Sequence, residues 1–288
     1  MANKKLKAPV NIPVEKIHPF EGHPYKVLDN DEMNNLIESI QQKGVISPIV
    51  VRPLENTEDE YEIISGHRRL RASVKAGLET VPALIYAVSR DEAAIMLVDS
   101  NLHREHILPS ERAFAYKLKM EAMSHQGYRS DLTSCQVGTK LRTDEIIAEN
   151  STDSARQIQR YIRLTNLIPE LLDLVDEERI AFTPAVELSY LNEVEQADLV
   201  EEIRVCDATP NLSQAQRLRA ISREEGLTPE HIGEILSEEK ANQREKIKIP
   251  AERIRKYFPK SYTTEQIEEA IIKICESRYR ARQGRDAR

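Results

Sequence analysis

The stretch that most constrains this chain runs from Tyr61 to Ala72, because it has the pattern of a strand that stops at a glycine and continues as a basic helix. Ile63 and Ile64 give the first half the β-branched character of a buried strand. Gly66 permits a tight turn at that point without steric cost. Three arginines then open the helix: Arg68, Arg69 and Arg71.

The placement of these arginines predicts a bound anion. Cations at a helix N-terminus oppose the macrodipole and repel one another, and the first backbone N–H groups of a helix have no partner within it. A polyphosphate would offset both costs, since guanidinium groups and free N–H groups bind phosphate oxygens. The alternative is a solvated helix start whose arginines pair with nearby carboxylates, and the residues alone leave both interpretations open.

Composition limits the class of protein. A chain of 288 residues with 40% hydrophobic content is long enough for two or three modest domains, each with its own core. Its three cysteines, Cys135, Cys206 and Cys275, lie far apart and form no C-x-x-C pair. That spacing predicts reduced thiols in a cytoplasm and argues against a zinc ribbon or a disulfide framework. The proline-broken N-terminus predicts neither a signal peptide nor a membrane span.

The charge balance restricts how such a chain can bind nucleic acid. The formal net charge is −7, so binding to a phosphate backbone requires a local basic face. The chain has no tryptophan, ten tyrosines and four phenylalanines. Few aromatic platforms disfavour a protein that stacks single-stranded bases.

The N-terminal third predicts a compact α/β or α+β unit around the central stretch. Residues Ile12–Tyr25 contain several prolines and predict an extended segment with one short strand at most. A helix is expected next, capped by Asp29 or Asn30 and ended by Gly44 in the left-handed conformation. Short strands are expected at 49–52 and 81–87.

A second polar cluster follows the next predicted helix, Asp91–Leu102. This helix ends in Asn101-Leu-His-Arg-Glu105, where Asn101 and Arg104 are candidates for contacts to a bound anion or its metal ion. Ser110 is expected to cap a long helix through Ala122. A polar connector is expected at 129–137.

Residues 143–164 have the pattern of a helix-turn-helix. The first helix ends at Asn150, a residue that tolerates the left-handed conformation, and Ser151, Thr152 and Asp153 offer caps for the second. In the second helix, Ile158 and Ile162 are expected to face the core. A short helix pair of this kind is a common DNA-binding unit.

The outer face of that second helix carries the side chains that read DNA. Arginine and glutamine pair bidentately with guanine and adenine edges in the major groove, and other arginines hold phosphates. The predicted DNA-binding residues are Ser154, Arg156, Gln157, Gln159, Arg160 and Arg163. The alternative is a solvated basic stripe on an ordinary bundle helix.

The remainder of the chain predicts more helices. Breaks are expected at Pro184, Pro210, Gly226 and Pro229, followed by a short strand at 246–250 and an amphipathic helix at 264–280. The arginine-rich end either touches DNA nonspecifically or solubilises the chain. The predicted fold is α+β and mostly helical, with a small mixed α/β domain at 1–105, an all-α helix-turn-helix domain at 106–240 and a C-terminal module at 241–288.

The order of these segments resembles the ParB family of DNA-partition proteins. The residues from Ile40 to Arg52 resemble the first conserved box of that family. Ser65-Gly-His-Arg-Arg-Leu-Arg-Ala72 resembles its arginine-rich box, and Asn101-Leu-His-Arg-Glu105 resembles its Asn-Leu-Gln-Arg-Glu box. The similarity covers residues 10 to 190, and the helix-turn-helix follows at the expected distance.

This resemblance implies a function and a set of contacts. The N-terminal domain would bind CTP with Mg²⁺, and the helix-turn-helix would bind a palindromic, centromere-like site in double-stranded DNA. The C-terminal module would form the homodimer, and nucleotide binding would close a sliding clamp on DNA. The protein would be cytoplasmic and nucleoid-associated, and its partner would be a ParA-type ATPase. The implied nucleotide contacts are Ser65, Gly66, His67, Arg68, Arg69, Arg71, Asn101 and Arg104, with Asn101 also at the metal.

The chain departs from the family pattern at three positions. His67 and Ser100 stand where the family has glutamates, and Tyr25 replaces an arginine. Either Asp99 takes the role of the missing carboxylate, or CTP binds with slow turnover and acts as a switch. The C-terminal segment does not match the chromosomal members, which suggests a plasmid or mobile-element relative.

Two other functions fit parts of the pattern. Small-molecule kinases that resemble sulfiredoxins share the N-terminal fold, and Glu21 is the one N-terminal carboxylate that could act as their base. A DNA-binding adaptor that uses no nucleotide would keep the basic box as a structural feature only.

Overall fold

The computed structural model of the protein describes residues 8–55, 57–102, 104, 106–127, 143–149, 151–238, 254–259 and 262–286. The fold is α+β and mostly helical, as the sequence predicts. The chain divides into two compact units, Met1–Glu238 and Glu239–Arg288. The predicted nucleotide-binding and DNA-binding residues all fall in the first unit.

A small sheet forms the centre of the N-terminal part. Its strands are β1 (Val10–Pro13), β2 (Ile17–His18), β3 (Ile49–Pro53), β4 (Tyr61–Ser65) and β5 (Thr80–Ile85). They stand in the order β1-β5-β3-β4-β2. The central strand β3 is antiparallel to β4 and parallel to β5, and Ile49, Val51 and Ile63 are fully buried.

The N-terminal segment forms two strands, so the expectation of one short strand at most was wrong. β1 pairs antiparallel with β5, and β2 pairs parallel with β4. Both partners lie more than forty positions away along the chain. Local proline content limits the length of each strand, but pairing with a distant strand stabilises it.

Three helices accompany the sheet: α1 (Asp31–Lys43), α2 (His67–Lys75) and α3 (Arg90–Asn101). The side chain of Asn30 caps α1 by accepting a hydrogen bond from the Met33 backbone N–H at 3.1 Å. Gly44 ends α1 with a φ of +69°. These two local signals confirm the predicted ends of the helix.

The turn between β4 and α2 requires glycine. Gly66 precedes α2 with a φ of +100°, and a Cβ atom there would lie only 2.9 Å from Cγ2 of Ile49. A side chain at this position would therefore meet both backbone strain and a clash with the central strand. The predicted strand–glycine–helix arrangement is confirmed.

The rest of the first unit is helical. Its helices are α4 (Pro109–Gly127), α5 (Thr143–Glu149), α6 (Ala155–Leu164), α7 (Pro169–Asp176), α8 (Phe182–Leu188), α9 (Glu193–Cys206), α10 (Leu212–Glu224) and α11 (Pro229–Ser237). One core of fully or nearly buried leucines, isoleucines and valines joins α6 to α11, and it includes Leu171, Leu199 and Leu218.

Two helix boundaries differ from the sequence-based predictions. Ser110 lies inside α4, and its hydroxyl donates to Asp176 at 2.6 Å, so it holds α4 to α7 rather than capping a helix. Pro184 lies in the first turn of α8, where a missing backbone N–H costs no helical hydrogen bond. Proline therefore starts this helix instead of breaking it.

The second unit contains α12, which is Thr264–Asp286. Ile267 is 9% exposed, whereas Ile272 and Ile274 are each 57% exposed. The predicted strand at 246–250 and the connector at 129–137 lie outside the described residues. No helix in the part of the chain that the structure describes is long and apolar enough to cross a membrane.

Replacing Gly66 by alanine tests the turn. Gly66→Ala should lower the free energy of unfolding by about 2–3 kcal/mol, because it adds a clash with Ile49 to the cost of a positive φ. Gly77→Ala is the matched control: Gly77 has a φ of +77° but open space around it, so about 1 kcal/mol is expected. Urea denaturation measures both, and equal losses would contradict the close approach.

Candidate functional site

A cleft of about 260 Å³ opens where the end of β4, the start of α2 and the end of α3 meet. The cleft brings together every predicted nucleotide-binding residue except Arg71. Those residues are Ser65, Gly66, His67, Arg68, Arg69, Asn101 and Arg104. The remaining lining residues are His23, Tyr25, Lys26, Val27 and Leu36.

The cleft is suited to an anion. Its lining includes four cationic side chains, those of Lys26, Arg68, Arg69 and Arg104, and none of the lining residues that the structure describes is Asp or Glu. The first turn of α2 also borders the cleft, and its backbone N–H groups have no partner within the helix. Positive side chains and free amides together match a ligand with several phosphate groups.

The arginines of the basic box have three different surroundings. Arg69 donates from one terminal nitrogen to the carbonyls of Ser47 at 2.6 Å and Pro48 at 2.7 Å, so it also fixes the chain before β3. Arg68 is 41% exposed and pairs with Glu32 at 2.9 Å. Exposure leaves the Arg68 guanidinium able to exchange that carboxylate for a phosphate.

Arg71 lies away from the cleft lining. Its guanidinium donates two hydrogen bonds to Asp29, at 2.9 and 2.5 Å, and Lys75 approaches the same carboxylate at 2.8 Å. The hydrogen bonds from Arg71 and then Lys75 lower the pKa of Asp29 to about 2. Arg71 fits the alternative weighed from the sequence, in which a basic residue pairs with a nearby carboxylate.

Two histidines in ring contact form part of the cleft wall, and His23, like Lys26, is a cleft residue that the sequence-based site prediction did not include. The ring centroids of His23 and His67 are 3.8 Å apart. Burial, together with smaller contributions from His23 and Arg104, lowers the pKa of His67 to about 3. Burial also lowers the pKa of His23. Both rings are therefore neutral in the free protein at neutral pH, and Nε2 of His67 is buried without a hydrogen-bond partner.

The end of α3 presents an oxygen to the cleft. Asn101 is buried, and its side-chain nitrogen donates to the carbonyl of Leu97 at 2.7 Å and to the Ser100 hydroxyl at 3.2 Å. Because the nitrogen is used inside the helix, the amide oxygen is the group that can meet a ligand. Magnesium prefers oxygen ligands and binds through one or two carboxylates plus phosphates, so here Mg²⁺ would depend on Asn101 and on the phosphates themselves.

Asp99, the candidate replacement for the missing carboxylate, is paired with a buried lysine. Its carboxylate accepts a hydrogen bond at 2.6 Å from Lys119 of α4, whose side chain is only 5% exposed. Breaking that pair would leave a buried ammonium group without a partner, which is costly. Asp99 is also absent from the cleft lining, so the structure favours the other alternative, in which no carboxylate replaces the missing one.

Lys26 connects the cleft to the helical part. Its ammonium group lies 3.4 Å from Asp173 and 3.3 Å from Asp176 of α7, while its backbone N–H donates to Glu111 of α4 at 2.7 Å. The pKa of Lys26 is raised: burial alone would lower it, but the hydrogen bond and charge of Asp176 outweigh that effect. Lys26 and His23 also line a second cleft of about 430 Å³ beside α4 and α7.

The helix pair α5–α6 carries the second group of predicted residues. Ser154 caps α6 by accepting from the Gln157 backbone N–H at 3.3 Å, so the cap lies one position beyond the three that the sequence suggested. Asp153 instead accepts a hydrogen bond from the Tyr116 hydroxyl at 2.6 Å. Ile158 is fully buried, and Ile162 packs beside it. Asn150 lies outside the described residues.

The polar face of α6 is divided between solvent and neighbouring helices. Arg156 is exposed, and the exposed Gln159 donates to Asp144 of α5 at 3.0 Å. Arg160 donates to Gln157 at 3.2 Å and to Thr183 of α8 at 3.0 Å. Arg163 donates to the carbonyl of Ser189 at 3.1 Å and lies over the ring of Tyr190. The N-terminal half of the face is open, whereas the C-terminal half is fixed against the end of α8.

A small sheet with a cation-lined cleft, followed in the chain by a set of helices of which α6 exposes Arg156, is an arrangement suited to binding anionic ligands. Residues 2–102 match the family described as the ParB N-terminal domain. A nucleoid occlusion protein from Listeria innocua is 32% identical over 195 residues, which cover 67% of this chain and 62% of the relative. The chain belongs to the ParB family, and the resemblance found in the sequence is confirmed.

A second relative overlaps with this chain to a similar extent. A chromosome-partitioning protein Spo0J from Thermus thermophilus is 30% identical over 59% of this chain and 56% of the relative. The chain thus spans about three-fifths of the length of the curated relatives it matches.

The C-terminally truncated ParB from Caulobacter crescentus is similar in two crystal structures. In complex with the centromeric parS site it is 22% identical, with a TM-score of 0.42 over 73% of this chain and 98% of that one. In complex with CTP-γ-S it is 25% identical, with a TM-score of 0.32 over 69% and 99%.

The pKa of His67 predicts how stability depends on pH. Unfolding exposes an imidazole whose pKa is about 6.5, while the folded ring stays neutral down to about 3. Below about pH 6.5 the unfolded state therefore binds a proton that the folded state does not. As the pH is lowered from that value, the free energy of unfolding decreases by up to about 1.4 kcal/mol per pH unit. His67→Gln should flatten this slope in urea titrations between pH 6.5 and 4. An unchanged slope would contradict a buried neutral His67.

Proposed function

We propose that this chain is a DNA-binding partition protein that recognises a palindromic, centromere-like site through a helix-turn-helix formed by α5 and α6. Bound CTP switches it to a clamp that slides along DNA. The observation that carries the nucleotide part is the convergence of Lys26, Arg68, Arg69 and Arg104 on one cleft beside the Gly66 turn. Membership of the ParB family supports both parts.

The cleft favours a di- or triphosphate over a small anion. A single phosphate would occupy the first-turn amides of α2 and one or two side chains. The four cations come from three parts of the chain, namely the N-terminal segment, α2 and the residues after α3, so a ligand must be extended to meet them all. We assign the choice of CTP over other nucleotides to the family resemblance, because the lining does not by itself specify a base.

The residues around the phosphates favour a binding switch over rapid hydrolysis. A water molecule that attacks a phosphate needs a positioned base or orienting group, and the described lining residues include no carboxylate. Asp99 is held by Lys119, and the Ser100 hydroxyl donates to the Leu97 carbonyl at 2.9 Å. We therefore expect slow CTP turnover, with Mg²⁺ held mainly by phosphate oxygens and Asn101.

The small-molecule kinase is the less favoured alternative. Its proposed base, Glu21, is 87% exposed and pairs with Arg90 at 3.2 Å. Glu21 also does not line the cleft. A kinase base must reach the hydroxyl of the acceptor within the site, so this arrangement does not support phosphoryl transfer to a small molecule.

Dimerisation through the C-terminal module completes the proposal. α12 exposes Ile272 and Ile274, and exposed apolar side chains on a helix favour association with a second helix. A two-fold dimer would present two copies of α6 to inverted half-sites. A ParA-type ATPase as partner and association with the nucleoid follow from the family resemblance.

Nucleotide binding is tested with Arg68→Gln and a matched control, Arg71→Gln. Both residues are exposed arginines of α2 paired with one carboxylate, but only Arg68 lines the cleft. Arg68→Gln should weaken CTP binding by about tenfold to a hundredfold, the loss expected for one charge-assisted hydrogen bond. Arg71→Gln should have a much smaller effect. Filter binding with radiolabelled CTP and ATP measures both.

Three results would contradict this assignment. Equal affinities of the two variants would remove Arg68 from the nucleotide site. ATP turnover that requires a small acceptor would support the kinase, and no binding of either nucleotide, with or without DNA, would support the adaptor. Arg69→Ala is a weaker test, because it also removes the hydrogen bonds to Ser47 and Pro48.

DNA recognition is tested by selection from random duplexes. The wild-type protein should return an inverted repeat, and Arg156→Ala should relax the preference for at least one base pair in each half-site, at a cost of about 1–3 kcal/mol. Arg204→Ala is the control, since Arg204 is an exposed arginine of α9 paired with Glu201 at 2.6 Å. Recovery of a site without two-fold symmetry, or an Arg156 variant with the sequence preference of the wild type, would contradict the assignment of α6 as the recognition helix.

A further inference from the structure

A tyrosine held between two arginines lies at the end of α8. The guanidinium carbon of Arg163 is 3.9 Å from the centroid of the Tyr190 ring, and that of Arg219 is 3.5 Å from the same centroid. Two guanidinium groups cannot both lie this close on one face, so they occupy opposite faces of the ring. Tyr190 is nevertheless 45% exposed, which leaves the edge of this stack open to solvent.

The stack joins three helices at fixed positions. Arg163 comes from the C-terminal half of α6 and donates to the carbonyl of Ser189 at 3.1 Å. Arg219 comes from α10 and donates to Glu187 of α8 at 2.6 Å. Contacts of this kind restrict the rotamers of both arginines, so each guanidinium is presented in one place.

The surface around the stack carries an excess of positive charge. Arg160 precedes Arg163 by three positions on α6, and its guanidinium carbon lies 5.0 Å from the centroid of the Phe182 ring at the start of α8. Of these three arginines, Arg219 pairs with the carboxylate of Glu187, whereas Arg160 donates to the Thr183 hydroxyl and Arg163 to the Ser189 carbonyl, both uncharged. Such a concentration on a chain with a net charge of −7 marks a surface for a polyanion.

We propose that Arg219, positioned by Tyr190, binds a backbone phosphate of the same DNA duplex that α6 enters, and so extends the DNA interface beyond the helix pair to α10. The inference rests on the proposed DNA-binding function. Recognition helices enter the groove with their N-terminal residues, and phosphates border the groove on both sides. The C-terminal half of α6 and its neighbour Arg219 then lie toward the backbone.

The chain offers a matched control on the same helix. Both Arg217, which is exposed, and Arg219, which is half-buried, belong to α10, and each pairs with one glutamate at 2.6 Å, Glu238 for Arg217 and Glu187 for Arg219. Arg219→Gln should reduce the slope of log K against log salt concentration by about 0.9 for cognate and random duplexes alike, because one phosphate contact is lost. Arg217→Gln should leave the slope unchanged.

A second pair of variants keeps the test valid if Arg219→Gln does not fold. Glu187→Gln removes the carboxylate that competes with phosphate for Arg219 and should tighten DNA binding, whereas Glu238→Gln removes the same charge next to Arg217 and should not. Circular dichroism melts establish which variants are folded.

The outcomes separate this inference from the function on which it rests. Suppose that the wild-type protein binds an inverted repeat, that the two arginine variants have the same salt slope, and that the two glutamate variants have the same DNA affinity. The Arg219 contact is then excluded, and the proposed function is unaffected. If the wild-type protein binds no DNA at any salt concentration, the proposed function fails first. A reduced salt slope found only for Arg219→Gln, or a higher DNA affinity found only for Glu187→Gln, supports the contact.

Discussion

The close approach of Gly66 to the central strand is the constraint on which the N-terminal site depends. With a Cβ atom excluded by Ile49, the chain can turn directly from β4 into α2 and aim the first turn of that helix into the cleft. Arg69 then reaches back to the carbonyls of Ser47 and Pro48, so the same helix start is fixed to the chain that leads into β3. A single turn therefore determines where the amides, Arg68 and His67 lie.

Local sequence signals predicted much of this fold. Asn30 caps α1, Gly44 ends it with a positive φ, and the glycine between β4 and α2 has the backbone conformation that its position required. Each of these features depends on residues within four positions of one another, which a sequence pattern can reveal. The cleft residues in the two family boxes were predicted for a different reason, since resemblance transfers a spatial arrangement that periodicity cannot supply.

Several of the features that sequence reasoning missed involve partners far apart in the chain. The stacking of His23 on His67 and the pairing of Asp99 with Lys119 depend on how the sheet and helices pack. The same holds for α6: a helical repeat places Arg156 and Arg163 on one side, but only the position of α8 determines that Arg163 is fixed and Arg156 is open. Periodicity identifies a face, and tertiary packing decides what that face contacts.

Lys26 is one cation with two sets of anionic neighbours. It lines the cleft at the start of α2, yet its ammonium group contacts Asp173 and Asp176 of α7. A polyphosphate in the cleft would compete with those carboxylates for the same charge, and every gain on one side would be a loss on the other. Such coupling is reciprocal. If the contact between Lys26 and α7 lowers the affinity of the cleft for a ligand by some factor, the bound ligand lowers the equilibrium constant for that contact by the same factor. If the proposed ligand binds, Lys26 would couple the occupancy of the cleft to the anchoring of α7.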